Sequence, residues 1–358
     1  MGSKPTSPFT MERIGVLMQP DPADPREASG VLNPGGARGP DGDYYLFPRV
    51  VAQGDISRIG RVRVVFDQRA NPARVEWRGY ALEPQESYEV TDGKGGVEDP
   101  RITYLQPLQR YVMTYTAYSA DHTRVALAVS DDLVRWERLG PLHFATGPEE
   151  RVDLNDHANK DAAIFPDVVA DPAGNLAIAI LHRPTLPRSL QPDAHLPAGS
   201  AAHPQETIWI SYAPLAAAQR DIRQLTQLYG HRMLLRRQAQ WEQLKIGTGA
   251  PPVRLPYGWL LLYHGVSTHQ RQEEVLRQYC AGMAILDLAD PTRVLYRSPH
   301  PILAPDCPYE QAGSTLRVVF PTATDLRDRD RLDVYYGAAD SRIAVARMTI
   351  PPALPTPE

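Results

Sequence analysis

The chain has 358 residues, 38 Lys and Arg against 42 Asp and Glu (net charge −4), and 42% hydrophobic and 22% charged residues. That composition belongs to a soluble globular protein with a large core, and it supplies no basic footprint for nucleic acid or an anionic membrane surface. No apolar run reaches the ~20 residues that span a bilayer. No amino-terminal segment reads as a signal peptide, and two cysteines, Cys280 and Cys307, exclude a disulfide framework and predict a reducing, cytoplasmic setting.

In chain order, residues 1–15 read as a flexible leader and residues 16–350 as a single domain. Strand patterns follow at Tyr44–Phe47, Arg61–Phe66, Arg110–Tyr118, Val125–Val129, Leu176–Leu181, Thr207–Tyr212, Trp259–Tyr263 and Leu332–Tyr336. They are short, rich in Val, Ile, Tyr and Leu, and bounded by Gly, Pro, Asp or Asn. The 35 scattered prolines suit strand edges and turns. Turn signals at about 8–12-residue spacing favour a sandwich, barrel or propeller over an α/β sheet. Val125–Asp132, Ile208–Pro214 and Ala281–Leu288 are weak repeats, each an inner strand, a turn and an outer strand, recurring at roughly 75-residue intervals. Radial repetition of that kind predicts an all-β propeller. One insertion, about 184–241, breaks the pattern. Pro184–Pro204 reads as a rim loop, and Leu215–Trp241, with Leu225, Leu228, Tyr229, Met233 and Leu234 near helical spacing, reads as a helix or long loop. Residues 351–358 read as a frayed tail.

Several dense polar clusters interrupt the strands. In Gly96-Val97-Glu98-Asp99-Pro100-Arg101, two adjacent carboxylates and a guanidinium can set an acid against a sugar oxygen; taken alone such a string is more often a solvated turn. Asn159-Lys160-Asp161-Ala162-Ala163-Ile164-Phe165-Pro166, His182-Arg183-Pro184, Lys245-Ile246-Gly247 and Tyr263-His264-Gly265 place cations or histidines at the ends of apolar strands, where each reads equally well as a structural ion pair or cap. None of the ten histidines has metal-ligand spacing, which predicts no catalytic metal and no cofactor.

As an ordered set, with Tyr335-Tyr336-Gly337-Ala338-Ala339-Asp340, these motifs resemble glycoside hydrolase family 130 over residues 33–346. The resemblance implies a five-bladed β-propeller catalytic domain acting on β-mannosides, most members with inorganic phosphate as co-substrate. It assigns Asp99 as the general acid, and Asp340, Glu98, Arg101, Asn33, Arg49 and Arg58 as sugar contacts. Lys160, Arg183 and Lys245, with His264 and Tyr279, match the phosphate site. Lys160 stands where some members have arginine, which keeps the charge and loses the bidentate fork. Inverting phosphorolysis needs an acid on one face of the sugar and an anion site on the other, with no base. The expected partners are therefore a manno-oligosaccharide and phosphate, with α-mannose 1-phosphate as product. The runner-up is a β-mannosidase, which needs a carboxylate to activate water; Glu242 is the one nearby acid. A non-catalytic sugar-binding propeller is the third reading. Acceptor choice is expected in Pro184–Pro204, Leu215–Trp241 and Ser267–Glu274, and the helical insertion is a candidate surface for homo-oligomer formation.

Overall fold

Seven of the eight predicted strands lie inside observed ones in the computed structural model, and the eighth, Thr207–Tyr212, overruns its strand by one residue; the structure describes residues 8–147, 152–187, 190, 205–271, 274–313, 315 and 317–354. The fold is all-β, its sheets built from antiparallel meanders taken in chain order. The first comprises Gly30–Arg38, Tyr44–Val51, Ser57–Phe66 and Pro72–Leu82. The second comprises Lys94–Leu105, Arg110–Ser119, Thr123–Ser130 and Glu137–Pro141. The third is Asn159–Ile164, Leu176–Leu186, Ile208–Pro214 and Gln227–Leu235. The fourth is Lys245–Thr248, Gly258–Arg271, Glu274–Leu286 and Val294–Arg297. In the fifth, Val319–Asp328, Arg331–Ala338 and Arg342–Thr349 are completed by the amino-terminal strand Thr10–Met18. The three sequence repeats fall on the third strand of the second, third and fourth meanders.

The core is divided among the seams between consecutive meanders. Phe47 and Ile59 pack on Val97 and Met113; Leu105 and Val112 pack on Ile164 and Ile178; Ala179 and Ile210 pack on Ile246 and Leu261; Leu260 and Met283 pack on Leu332 and Val334. Leu46 and Val62 of the first meander pack in turn on Tyr335 and Val345 of the fifth. The first strand of each meander lies toward the middle. There Arg101 Nε donates to Gly249 O at 2.6 Å and Thr322 Oγ1 to Pro34 O at 2.7 Å.

Four expectations need correction. The leader is shorter than 15 residues: Thr10–Met18 pairs with Arg342–Thr349, and Arg13 Nε donates to the buried Glu310 carboxylate at 2.8 Å. Residues 1–7 lie outside the described residues. The helix or long loop expected over Leu215–Trp241 is one short helix, Leu215–Arg220, then a 3₁₀ turn, Ile222–Thr226, and an in-sheet strand, Gln227–Leu235. Register breaks against Ile208–Pro214 and the left-handed Gly230 (φ 64°) disturb the two-residue alternation, and this mimics helical spacing. The rim loop is partly strand, because Pro184–Leu186 continues Leu176–Leu186; positions 188, 189 and 191–204 lie outside the described residues. In the tail, Pro351 O accepts from Tyr257 Oη at 2.9 Å and Leu354 packs on the core, so residues 351–354 are anchored; residues 355–358 lie outside the described residues.

Candidate active site

Asn33, Asp99 and Asp161 occupy the first strands of the first three meanders, and all three adopt left-handed backbone, with φ of 42°, 46° and 54°. Each sits at a register break, between Leu32 and Gly35, Glu98 and Arg101, and Lys160 and Ala163. Short amide and carboxylate side chains tolerate this region best among non-glycine residues. A bulge there turns the side chain out of its alternation. Asp340, in the turn after Arg331–Ala338, has φ 47°. All four line one cavity of about 270 Å³. Strain of this kind, repeated at equivalent positions around one cavity, marks a functional centre.

At one end of the cavity Asp99 Oδ1 accepts from Asn33 Nδ2 at 3.0 Å and from Arg49 Nη1 at 3.2 Å. Arg49 is fixed in turn by Ser57 Oγ at 2.9 Å and Glu98 Oε1 at 2.8 Å. Both bonds to Asp99 fall on Oδ1, which leaves Oδ2 for a substrate. Burial raises the pKa of Asp340, and the charge of Asp99 adds to the rise; Thr315, Arg49 and Lys245 oppose it. A methyl group at Gly337 would collide with the Asn33 amide, so glycine is required there.

At the other end stand Lys160, Asp161, Arg183, Lys245, His264 and Tyr279. Arg183 is buried between two carboxylates, donating from Nε to Asp161 Oδ2 at 2.5 Å and from Nη1 to Glu206. Lys160 Nζ lies 3.2 Å from Glu98 Oε2. Lys245 has no carboxylate partner among the described residues; its ammonium lies 5.4 Å from the centre of the Tyr279 ring. Burial, with the nearby Arg183 charge adding to it, pushes its pKa down to about 7. Burial raises Asp161, but Arg183, His264 and Arg101 outweigh it and hold the carboxyl well below the usual range. His264 is driven down to about 3 by burial, so it is a neutral ring. It stacks on Tyr279 and meets the Phe320 ring edge at 4.3 Å between centroids. Its Nδ1 is buried with no hydrogen-bond partner among the described residues. A Cβ at Gly247 would strike Asp161 and His264.

The sequence profile of glycoside hydrolase family 130, described as beta-1,4-mannooligosaccharide phosphorylase, matches residues 5–354 and so spans every residue above. The chain belongs to glycoside hydrolase family 130. It is 31% identical over 267 residues to a 1,2-beta-oligomannan phosphorylase of Thermoanaerobacter sp. (strain X514), covering 74% of this chain and 71% of that one. It is 32% identical to a beta-1,2-mannobiose phosphorylase of the same strain, over 72% and 68% of the two chains. The solved beta-1,2-mannobiose phosphorylase of Listeria innocua superposes with a TM-score of 0.70 at 24% identity, covering 96% of this chain and 97% of that one.

Of the residues singled out in this family 130 chain, Asn33, Arg49, Asp99, Lys160, Arg183, Lys245, His264, Tyr279 and Asp340 line the cavity together. Glu98 stands behind it as the shared partner of Arg49 and Lys160. Two other expected sugar contacts, Arg58 and Arg101, are not among the cavity's lining residues. Arg58 pairs with Glu83 at 3.1 Å, away from the cavity lining. Arg101 is buried and spends its donors on Gly249 O, Thr248 O and Asp99 O, tying first strands together. Glu242 is a structural acid: it accepts from Gln238 N and Ala239 N and pairs with Arg297 at 2.8 Å. His182 is buried on Asn159 and Ser211. Sequence reasoning missed Asp161 as a cavity residue, although an aspartate inside an apolar strand before Ala-Ala signals it. It also missed Glu206, which no local pattern marks.

Proposed function

We propose that this enzyme cleaves a β-mannosidic bond by inverting phosphorolysis. A phosphate oxygen bonds to C1 of the mannose from the cation side, the C1–O bond breaks, and the acceptor oxygen takes a proton originating on Asp99, directly or relayed through a mannose hydroxyl. The products are α-mannose 1-phosphate and the freed acceptor sugar. Asp340, Asn33 and Arg49 hold the mannose at the reacting position. Inorganic phosphate is the co-substrate, and no metal or organic cofactor enters the reaction.

The observation that carries this reading is the composition of the cavity that Asp99 lines. Lys160, Arg183 and Lys245 line it too, and the charges of Arg183 and Lys160 both act on Lys245, as an anionic nucleophile requires. A hydrolase needs a free carboxylate to activate water. Asp161 and Glu206 are both bound to Arg183, and a carboxyl held as low as Asp161 is a feeble base. The phosphorylase names of the relatives agree, and their β-1,2 linkage makes β-1,2-mannosides the first substrates to test.

We also read the five meanders as the blades of a closed propeller. The seam between the first and fifth meanders is packed like the others, and the amino-terminal strand completes the carboxy-terminal meander, which leaves no open edge between chain ends.

Synthesis tests the reaction. Incubation with α-mannose 1-phosphate and separate acceptors (mannose, glucose, N-acetylglucosamine) is expected to release phosphate and form a β-mannosyl disaccharide, whose linkage NMR identifies. No phosphate release with any acceptor contradicts the proposal.

A further inference from the structure

The catalytic cavity, at about 270 Å³, has room for little beyond one sugar ring and an anion. A second groove of about 420 Å³ opens beside it, between the turn after Arg110–Ser119 and the segment before Asn159–Ile164. Lys160 and Tyr118 link the two: Lys160 lines the catalytic cavity, and its Nζ lies 5.6 Å from the centre of the Tyr118 ring, which lines the groove. Tyr118 is 41% exposed, an unusual state for a large aromatic residue on a strand whose other aromatics are buried. On the walls, the side chains of Asp121, His122, Arg124, Asp156 and His157 make no hydrogen bond or ion pair with other described residues.

A flat aromatic face with unengaged donors and acceptors around it suits a sugar ring, whose C–H face stacks while its hydroxyls bond outward. Asp121 and Asp156 against Arg124 give the groove a small negative balance, so it favours a neutral polyhydroxy ligand over a second anion. We infer that this groove binds the mannosyl residues of the acceptor beyond the one directly bonded to the reacting mannose, with Tyr118 as their stacking platform. The inference rests on the phosphorolysis reading for the direction of the chain, because attack at the terminal mannose leaves the rest of the substrate outside the catalytic cavity. It places chain-length preference in Tyr118–Arg124 and Asp156–His157, outside the three segments expected to set acceptor choice.

The test compares kcat/KM for phosphorolysis of β-1,2-mannotriose and β-1,2-mannobiose by wild type, Tyr118→Ala, Tyr118→Phe and His157→Ala. Tyr118→Ala is expected to lower the trisaccharide-to-disaccharide ratio about tenfold, the effect of losing one stacked ring contact. Tyr118→Phe keeps the ratio and His157→Ala lowers it less. A ratio equal to wild type in Tyr118→Ala, with normal folding by circular dichroism, overturns the groove. If wild type forms no mannose 1-phosphate, the reaction assignment fails separately, and calorimetric titration of mannotriose and mannobiose judges the groove. Tighter mannotriose binding that Tyr118→Ala abolishes supports it; equal binding of both sugars overturns it.

Discussion

At one end of the cavity Asp99 is locked, its Oδ1 held by Asn33 and Arg49 and Arg49 held by Ser57 and Glu98. At the other end the cations are compensated in advance: Lys160 by Glu98, and Arg183 by Asp161 and Glu206, with only Lys245 lacking a carboxylate among the described residues. The acid end is thus rigid and ready, whereas the anion end is close to neutral until a ligand arrives. Packing three bare cations together without an anion would cost more than the site could hold, and burial, with the charges of Arg183 and Lys160 adding to it, already depresses Lys245. On the proposed reading, phosphate affinity depends on exchanging protein carboxylates for phosphate oxygens, and on the protonation of one lysine.

The largest expected effect breaks the acid end alone. Asp99→Asn lowers kcat by about 10³-fold, the scale of general-acid catalysis, while competition by sulfate at the anion end persists; loss of sulfate binding in this variant would merge the two ends. Lys245→Met acts on the other end and lowers kcat/KM for phosphate by about 10²-fold, as expected for loss of one charge-assisted contact. The pH dependence of sulfate inhibition sharpens the contrast, because sulfate stays doubly charged throughout. Anion binding needs protonated Lys245, whose pKa in the free enzyme is pushed down to about 7. The inhibition constant should be flat below pH 7 and rise by about tenfold per unit above it, until the raised pKa of the bound state is reached. The smallest effect is Glu206→Gln, which frees Arg183 and lowers KM for phosphate about threefold; a higher KM would show that Glu206 orders Arg183 and does not compete with the ligand.

The sequence revealed the strands well because turn formers bracket them, and the ordered motifs located nine cavity residues. What it hid has physical causes. Arg101 and Arg58 have the chemistry of sugar contacts, but where their guanidinium groups point depends on backbone carbonyls of Thr248 and Gly249 and on Glu83, all distant in sequence. Glu206 reaches Arg183 only because the two-residue strand Gln205–Glu206 bridges two meanders. The supposed helix is a strand whose bulges scramble its alternation. Conversely, the left-handed Asn33, Asp99 and Asp161 are visible in retrospect as Asn-Pro, Asp-Pro and Asp-Ala steps inside apolar strands.

The central claim is that phosphate, held by Lys160, Arg183 and Lys245, is the group that attacks. Phosphorus NMR of the protein incubated with a β-manno-disaccharide, with and without inorganic phosphate, measures this directly. The expected result is α-mannose 1-phosphate in equal amount to the released acceptor sugar, and no free mannose when phosphate is omitted. Mannose released at the same rate without phosphate, with no phosphorylated product, would contradict it.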